Sequence, residues 1–248
     1  MPSIDFTPGG YRYLPGVFQY SAGVAALDGF RIERAMFRTP VALAEGFRRI
    51  EAFLTAAGRP MTALSACELR SPAQMGEAAF RSFNELYVDR LSGFGIIADG
   101  ANPVARSNVC PALAPPAEPS FHAFSFTVAD RAARPSFVIA GSGEVPEGKA
   151  NYRDHIVRPG DTSPAGLREK ARYVLAAMQA RLAALGFDWP DTTATQVYTL
   201  HDLHPFLADE IVARGASAHG LTWHYCRPPG VGLDYEMDCR GVEWERVI

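Results

Sequence analysis

The sequence predicts an α/β protein made of two diverged copies of one unit, each a β-sheet with two helices on one face. Three observations predict it. Amphipathic stripes recur at helical spacing, a glycine closes each stripe, and a β-rich run follows each glycine, all at about half the length of the 248-residue chain.

An early strand candidate reads GVFQYSAGV (16–24), and a later one reads PSFVIAGSGEV (135–145). Both end in a small-residue turn, Ala22-Gly23 and Ala140-Gly141. The first helix candidate covers 42–57, with Leu43, Phe47, Ile50 and Leu54 on one stripe. The second covers 166–185, with Ala171, Val174, Leu175, Met178 and Leu182 on one stripe. Gly58 and Gly186 suit the left-handed position just past a helix end. Strands are predicted at 61–70 and 191–200, the second alternating Thr/Gln with Val/Tyr. Further helices are predicted at 74–91 and 204–215, and closing strands at 121–128 and 233–242. The copies divide as 1–128 and 129–248, joined by ADRAARP (129–135). PALAPPAEP (111–119) reads as a local extended loop. The second half carries an extra polar stretch, GKANYRDHIVRPGDTS (148–163), and insertions of this kind lie in loops, where function concentrates.

Composition narrows the function classes. Hydrophobic residues at 48% and charged residues at 21% are the balance of a globular protein rather than a disordered one. A net charge of −3 with no Lys/Arg block argues against nucleic-acid or membrane partners. MPSIDFTPGG has neither a basic nor an apolar leader region, and no run approaches the ~18 apolar residues of a membrane span, so a cytoplasmic location is expected. Cys67, Cys110, Cys226 and Cys239 form no CxxC pair and read as buried small hydrophobes. His201 and His204 are spaced for joint ligation on a helix, but His204 precedes Pro205 at a helix start with Asp202 as its cap. His219 and His224 lack a third partner, so no metal is expected. GSGEVPEG (141–148) matches neither phosphate-loop pattern, and no cofactor is expected.

Several motifs together carry a family resemblance. FNELY (83–87), PVARSNV (103–109) and RPPGVGLDYEMDCRGV (227–242) resemble the RidA family, also called YjgF/YER057c/UK114. GYRYLPGVFQYSAG, NPVARSNVCP and NYRDHIVRPGDTSP resemble the aminomuconate-type deaminases among its two-copy members. The resemblance implies a homo-oligomer, usually a trimer, that hydrolyses an enamine or imine carboxylate. It also leaves room for a chorismatase-like hydrolase, or for a non-enzymatic protein that binds small carboxylates. The halves differ: His122 stands where the first copy would carry its acidic residue, and HGLTWHYCR (219–227) has no arginine where the second would carry its own. A complete site then combines Arg106 of one copy with Glu236 of another, within a chain or between subunits.

The chemistry assigns roles. An aminomuconate is an enamine that tautomerises to an imine, to which water adds before ammonia leaves. Arg106 suits the carboxylate anchor, because a guanidinium binds a carboxylate through two parallel hydrogen bonds. Ser107 and Asn108 offer neutral donors beside it. Glu236, between Tyr235 and Met237 on a half-buried strand, suits general acid/base work, since desolvation raises a carboxyl pKa. Asp234 and Asp238 share its face, and all three cannot be buried and charged, so at least one meets water or a basic partner. Arg153, His155 and Arg158, with Asn151 and Tyr152, would suit a dicarboxylate. Glu144 is expected to point into the same cleft, and Tyr11 and Tyr13 to cap it.

Overall fold

The computed structural model describes residues 2–97 and 100–248. In chain order the main elements are β1 (Ile4–Phe6), β2 (Tyr11–Leu14), β3 (Gly23–Ala26), β4 (Phe30–Ala42), α1 (Leu43–Ala56), β5 (Leu64–Arg70), α2 (Glu77–Gly93), β6 (Ala105–Pro111) and β7 (Ser120–Ala129). The second half continues with β8 (Phe137–Gly143), α3 (Pro164–Leu185), β9 (Ala194–Tyr198), the short α4 (His204–Phe206), β10 (Thr222–His224), β11 (Cys226–Arg227), β12 (Glu236–Gly241) and β13 (Trp244–Val247).

The two halves share one topology. In the first, β6-β5-β7-β4 lie side by side, and in the second β10-β9-β12-β8 do. Each set has one parallel pair, β5 with β6 and β9 with β10, and the remaining neighbours run antiparallel. The fold is therefore α/β with tandem units. Apolar stripes put each sheet's helices on its outer face. Leu43, Phe47, Ile50 and Leu54 of α1 join Phe83, Tyr87 and Leu91 of α2 over Phe121, Phe124 and Phe126. Ala171, Val174, Leu175, Met178 and Leu182 of α3 pack over Ile139, Val197, Met237 and Cys239. Gly58 and Gly186 follow α1 and α3 with φ of 67° and 83°, a conformation that is cheap for glycine. The inner faces of the sheets meet through small residues, Ala66, Ala105 and Ala140, flanked by Tyr11, Tyr13 and Val24.

Sheet membership does not follow the 128/129 division. β1-β2-β3 extend the second half's sheet beyond β8, while β13 pairs in parallel with β4 at the edge of the first. β11 pairs with β6. Each terminal segment thus completes the other half's sheet.

Four local expectations change. The run 16–24 is a strand only from Gly23 onward; before it the chain folds back in a turn closed by Tyr20 N donating to Val17 O at 3.2 Å. Gly16 permits this, since a Cβ there would stand 2.5 Å from Tyr20 O. The strand that leads into α1 is β4, whose three arginines and Glu33 hide its strand character. Arg34 is buried there and makes a two-pronged bond to Glu68 at 2.5 and 2.8 Å. The strand at 61–70 starts only at Leu64, after a 3₁₀ turn at Met61–Ala63. The helix at 204–215 is one turn, α4, that passes into a π-helical turn at Leu207–Val212. Among the described residues no helix is long and apolar enough to cross a membrane.

Candidate active site

A cleft of about 570 Å³ is lined by residues of both halves, a volume suited to a small organic molecule. The turn Val17–Tyr20, α2, β6, the start of β12 and the loops after β8 and β11 surround it. Arg106 from the first half and Glu236 from the second both line it, so one chain brings them together.

Arg106 is 3% exposed. Its Cζ stands 4.8 Å from the ring centre of Tyr87, 5.1 Å from Tyr20 and 5.7 Å from Phe83. These rings stabilise a cation without neutralising it. No acidic side chain pairs with it among the described residues, and its Nη1 is buried without a partner. Burial lowers its pKa, while Tyr87, Tyr20, Cys67 and Glu236 act in the opposite sense. A buried, unpaired guanidinium beside a cleft is a standing demand for an anion.

Glu236 opens β12, in register with Gly143 and Tyr198, and is 5% exposed. Its carboxyl makes no side-chain hydrogen bond among the described residues. Burial pushes its pKa well above the ordinary carboxyl value, the Asp238 and Glu144 carboxylates push the same way, and Arg106 opposes them. The group therefore holds its proton more strongly than an ordinary carboxyl, which suits it to act as a proton donor. Gly141 makes room for it, because a Cβ there would collide with Glu236 Oε1 and sit 3.3 Å from Ser107 Cα. Gly141→Ala is accordingly expected to displace the carboxyl, cutting activity at least tenfold and costing about 1–3 kcal/mol of stability, read by kinetics and denaturant melts. Parent-like activity in that variant would show that the Glu236 position is not critical.

Asn108, two residues along β6, also lines the cleft. Ser71 Oγ donates to its Oδ1 at 2.9 Å, which fixes the amide and leaves Nδ2 without a partner. Ser107 faces the other way. Its Oγ donates to Asp238 Oδ2 at 2.6 Å across the sheets, and Gln196 and Tyr198 donate to the same carboxylate at 2.7 and 2.9 Å. Ser107 holds the sheets together and does not line the cleft.

Other expected site residues are also placed elsewhere. Glu144 is fully buried and does not line the cleft. Lys170 Nζ donates to its Oε1 at 3.1 Å, and the backbone N–H groups of Asp234 and Tyr235 donate at 2.6 and 3.1 Å. Its oxygens are occupied in fixing the approach to β12. Tyr13 packs in the inter-sheet core with Tyr11, whose hydroxyl donates to Leu64 O at 3.0 Å, so neither caps the cleft. Arg153, His155 and Arg158 are exposed and outside the lining, and Arg158 pairs with Asp161 at 2.8 Å. The inserted loop reaches the cleft instead through Gly148, Lys149, Ala150 and Tyr152, whose hydroxyl donates to Val231 O at 2.8 Å. Of the three carboxylates along 234–238, Asp234 is the one that meets a basic partner, Lys170 Nζ, at 2.8 Å. His201 lies 3.6 Å from Asp234 and His204 binds Asp202 at 2.6 Å; among the described residues no cluster of three His, Cys, Asp or Glu side chains is arranged for a metal.

Sequence reasoning missed Tyr20, Glu147 and Arg181. Tyr20 OH and Arg181 Nη2 both donate to Glu147 Oε1, at 2.9 and 2.8 Å, and Arg181 Nη1 donates to Ala140 O at 3.0 Å. Phe83 and Tyr87 carried a signal, being four apart on one helix face within FNELY, but Glu147 carried none.

Fold and site define a two-unit α/β protein whose cleft sets a buried arginine of one unit beside a buried glutamate of the other. The chain belongs to the family described as 2-aminomuconate deaminase CnbZ, whose model matches residues 3–246. It is 50% identical over 248 residues to 2-amino-5-chloromuconate deaminase from Comamonas testosteroni, covering 99% of each chain. Among solved structures, a chorismatase has a similar fold, with a TM-score of 0.54 at 12% identity over 98% of this chain and 80% of that one. The YjgF gene product from E. coli covers 44% of this chain and 80% of its own at 18% identity, with a TM-score of 0.32.

Proposed function

We propose that this chain is a hydrolytic deaminase of a 2-aminomuconate-type enamine dicarboxylate, and that its two units are diverged copies of a RidA-superfamily unit. One observation carries the reading: an unpaired, buried Arg106 and a carboxyl of raised pKa, Glu236, line the same cleft. Family membership and the 50% identical deaminase support it.

Arg106 binds the substrate carboxylate with two parallel hydrogen bonds, and Asn108 Nδ2 adds a third donor. The protonated Glu236 gives its proton to the carbon end of the enamine, leaving an iminium at the carbon that bears nitrogen. Water adds its oxygen to that carbon and returns a proton to the Glu236 carboxylate, forming a carbinolamine. Glu236 then protonates the nitrogen. The C–N bond breaks with its electron pair going to nitrogen, the hydroxyl becomes a carbonyl, and its proton goes back to Glu236. The net change is enamine plus water to carbonyl plus ammonia. The iminium carbon is itself electrophilic, so each of these steps uses only side chains and water.

The test is direct. Purified protein given 2-aminomuconate is expected to release one ammonia per substrate consumed, measured by a coupled glutamate dehydrogenase assay. No ammonia from 2-aminomuconate or its 5-chloro analogue would overturn the proposal. Hydrolysis of chorismate in its place would favour a chorismatase-like activity.

A further inference from the structure

We infer that Glu147, acting through its free Oε2, receives the amino group of the substrate while Arg106 holds the carboxylate on the same carbon. This rests on the deaminase reading and extends it to how the nitrogen is recognised.

Glu147 lines the cleft. Both of its donors, Tyr20 OH and Arg181 Nη2, bind the same oxygen, Oε1. Oε2 accepts no hydrogen bond among the described residues and is not enclosed, so a free acceptor remains on a residue that lines the cavity. Arg181 is itself fixed from the far side by Ala140 O, which sets the carboxylate in one orientation.

Tyr20 ties this acceptor to the anchor. The face of its ring lies against the Arg106 guanidinium, 5.1 Å from Cζ to centroid, and its hydroxyl reaches Glu147 at 2.9 Å. A cation and an anion thus stand at the face and the tip of one aromatic side chain. The substrate has the matching arrangement, because the carbon that bears its amino group also bears a carboxylate. With the carboxylate on Arg106, the neighbouring nitrogen falls towards Glu147.

The two cleft carboxyls then divide the work. The Glu236 carboxyl makes no side-chain hydrogen bond among the described residues and favours its protonated form, which suits proton delivery. Glu147 accepts hydrogen bonds from a guanidinium and a phenol, which suits a fixed acceptor for N–H groups. It contacts the nitrogen in the enamine, in the positively charged iminium, and in the protonated amine that leaves. It exchanges no proton itself, and the C–N bond pair departs with the ammonia.

Glu147→Gln keeps the volume and an acceptor oxygen for Tyr20 and Arg181 while removing the charge. The comparison is between 2-aminomuconate and muconate, which has the same dicarboxylate skeleton without nitrogen. Glu147→Gln is expected to lower kcat/KM for 2-aminomuconate roughly ten- to hundredfold. Inhibition by muconate is expected to change by less than about twofold. Glu147→Asp, which keeps the charge at shorter reach, should show the same selective loss at smaller size, and it serves in place of the glutamine variant should that one fail to fold. Equal weakening for both ligands would mean that Glu147 only props the cleft, and unchanged kcat/KM would mean that it does not meet the nitrogen. Either result overturns the inference. Failure of the parent protein to release ammonia would instead overturn the deaminase reading itself.

Discussion

Glu236→Gln is expected to lower turnover of 2-aminomuconate by about a hundredfold or more, with little change in KM, because shape is kept and proton transfer is lost. The same substitution is expected to stabilise the protein at neutral pH. In the unfolded chain this carboxyl ionises near its ordinary value of 4.5, whereas in the fold, burial and the nearby carboxylates hold it protonated to higher pH. Between those two values the unfolded chain binds fewer protons than the folded one, so stability falls as pH rises. Glutamine has no such titration. The melting temperature of the variant should therefore exceed the parent's at pH 7 and approach it at pH 4. The parent's rate should fall in the alkaline direction as Glu236 loses its proton. A variant that turns over at the parent rate would end the case for Glu236 as the proton carrier.

Arg106→Lys is expected to raise KM for 2-aminomuconate roughly ten- to hundredfold, corresponding to the 1.5–3 kcal/mol of a charge-assisted contact, with a smaller change in kcat. Lysine keeps the charge but not the planar fork. Its ammonium also sits differently among the rings of Tyr20, Phe83 and Tyr87. The fold should tolerate the change, because among the described residues Arg106 forms no ion pair that the substitution would break, and its Nη1 is without a partner. Thermal melts and Michaelis kinetics check both halves of this expectation. Arg106→Lys and Glu236→Gln should separate, one acting mainly on affinity and the other on rate. Parent rates in both would leave the fold standing and remove the mechanism.

How much of this was legible in the sequence follows from how local each feature is. α1 and α3 could be read because their stripes and closing glycines lie within a few turns of one another. β4 could not, because what makes Arg34 a buried strand residue is Glu68, 34 positions away, and Glu245, 211 positions away. Arg106 and Glu236 were legible through motifs, yet their meeting in one chain depends on how two sheets face each other, which no motif records. Glu144 looked like a cleft residue because GSGE carries no sign of Lys170 and the two backbone donors that take its oxygens. Arg153, His155 and Arg158 had the right chemistry on a loop whose charged face turned to solvent. Ser107 was misread because neighbours on a strand point to opposite faces, so Arg106 and Asn108 fall on one side and Ser107 on the other.

The terminal strands also bear on inheritance. Two identical units that meet by diffusion must each carry every group the cleft needs, since either can take either role. Here the chain clasps its own halves, β1-β2-β3 on the second sheet and β13 on the first, so each half always finds the same neighbour in the same orientation. A guaranteed neighbour makes duplicated groups redundant. On the proposed duplication, His122 and the stretch 219–227, which has no arginine at the equivalent place, stand at positions released from duty in this way, while Arg106 and Glu236 are the two remaining parts of one proposed set.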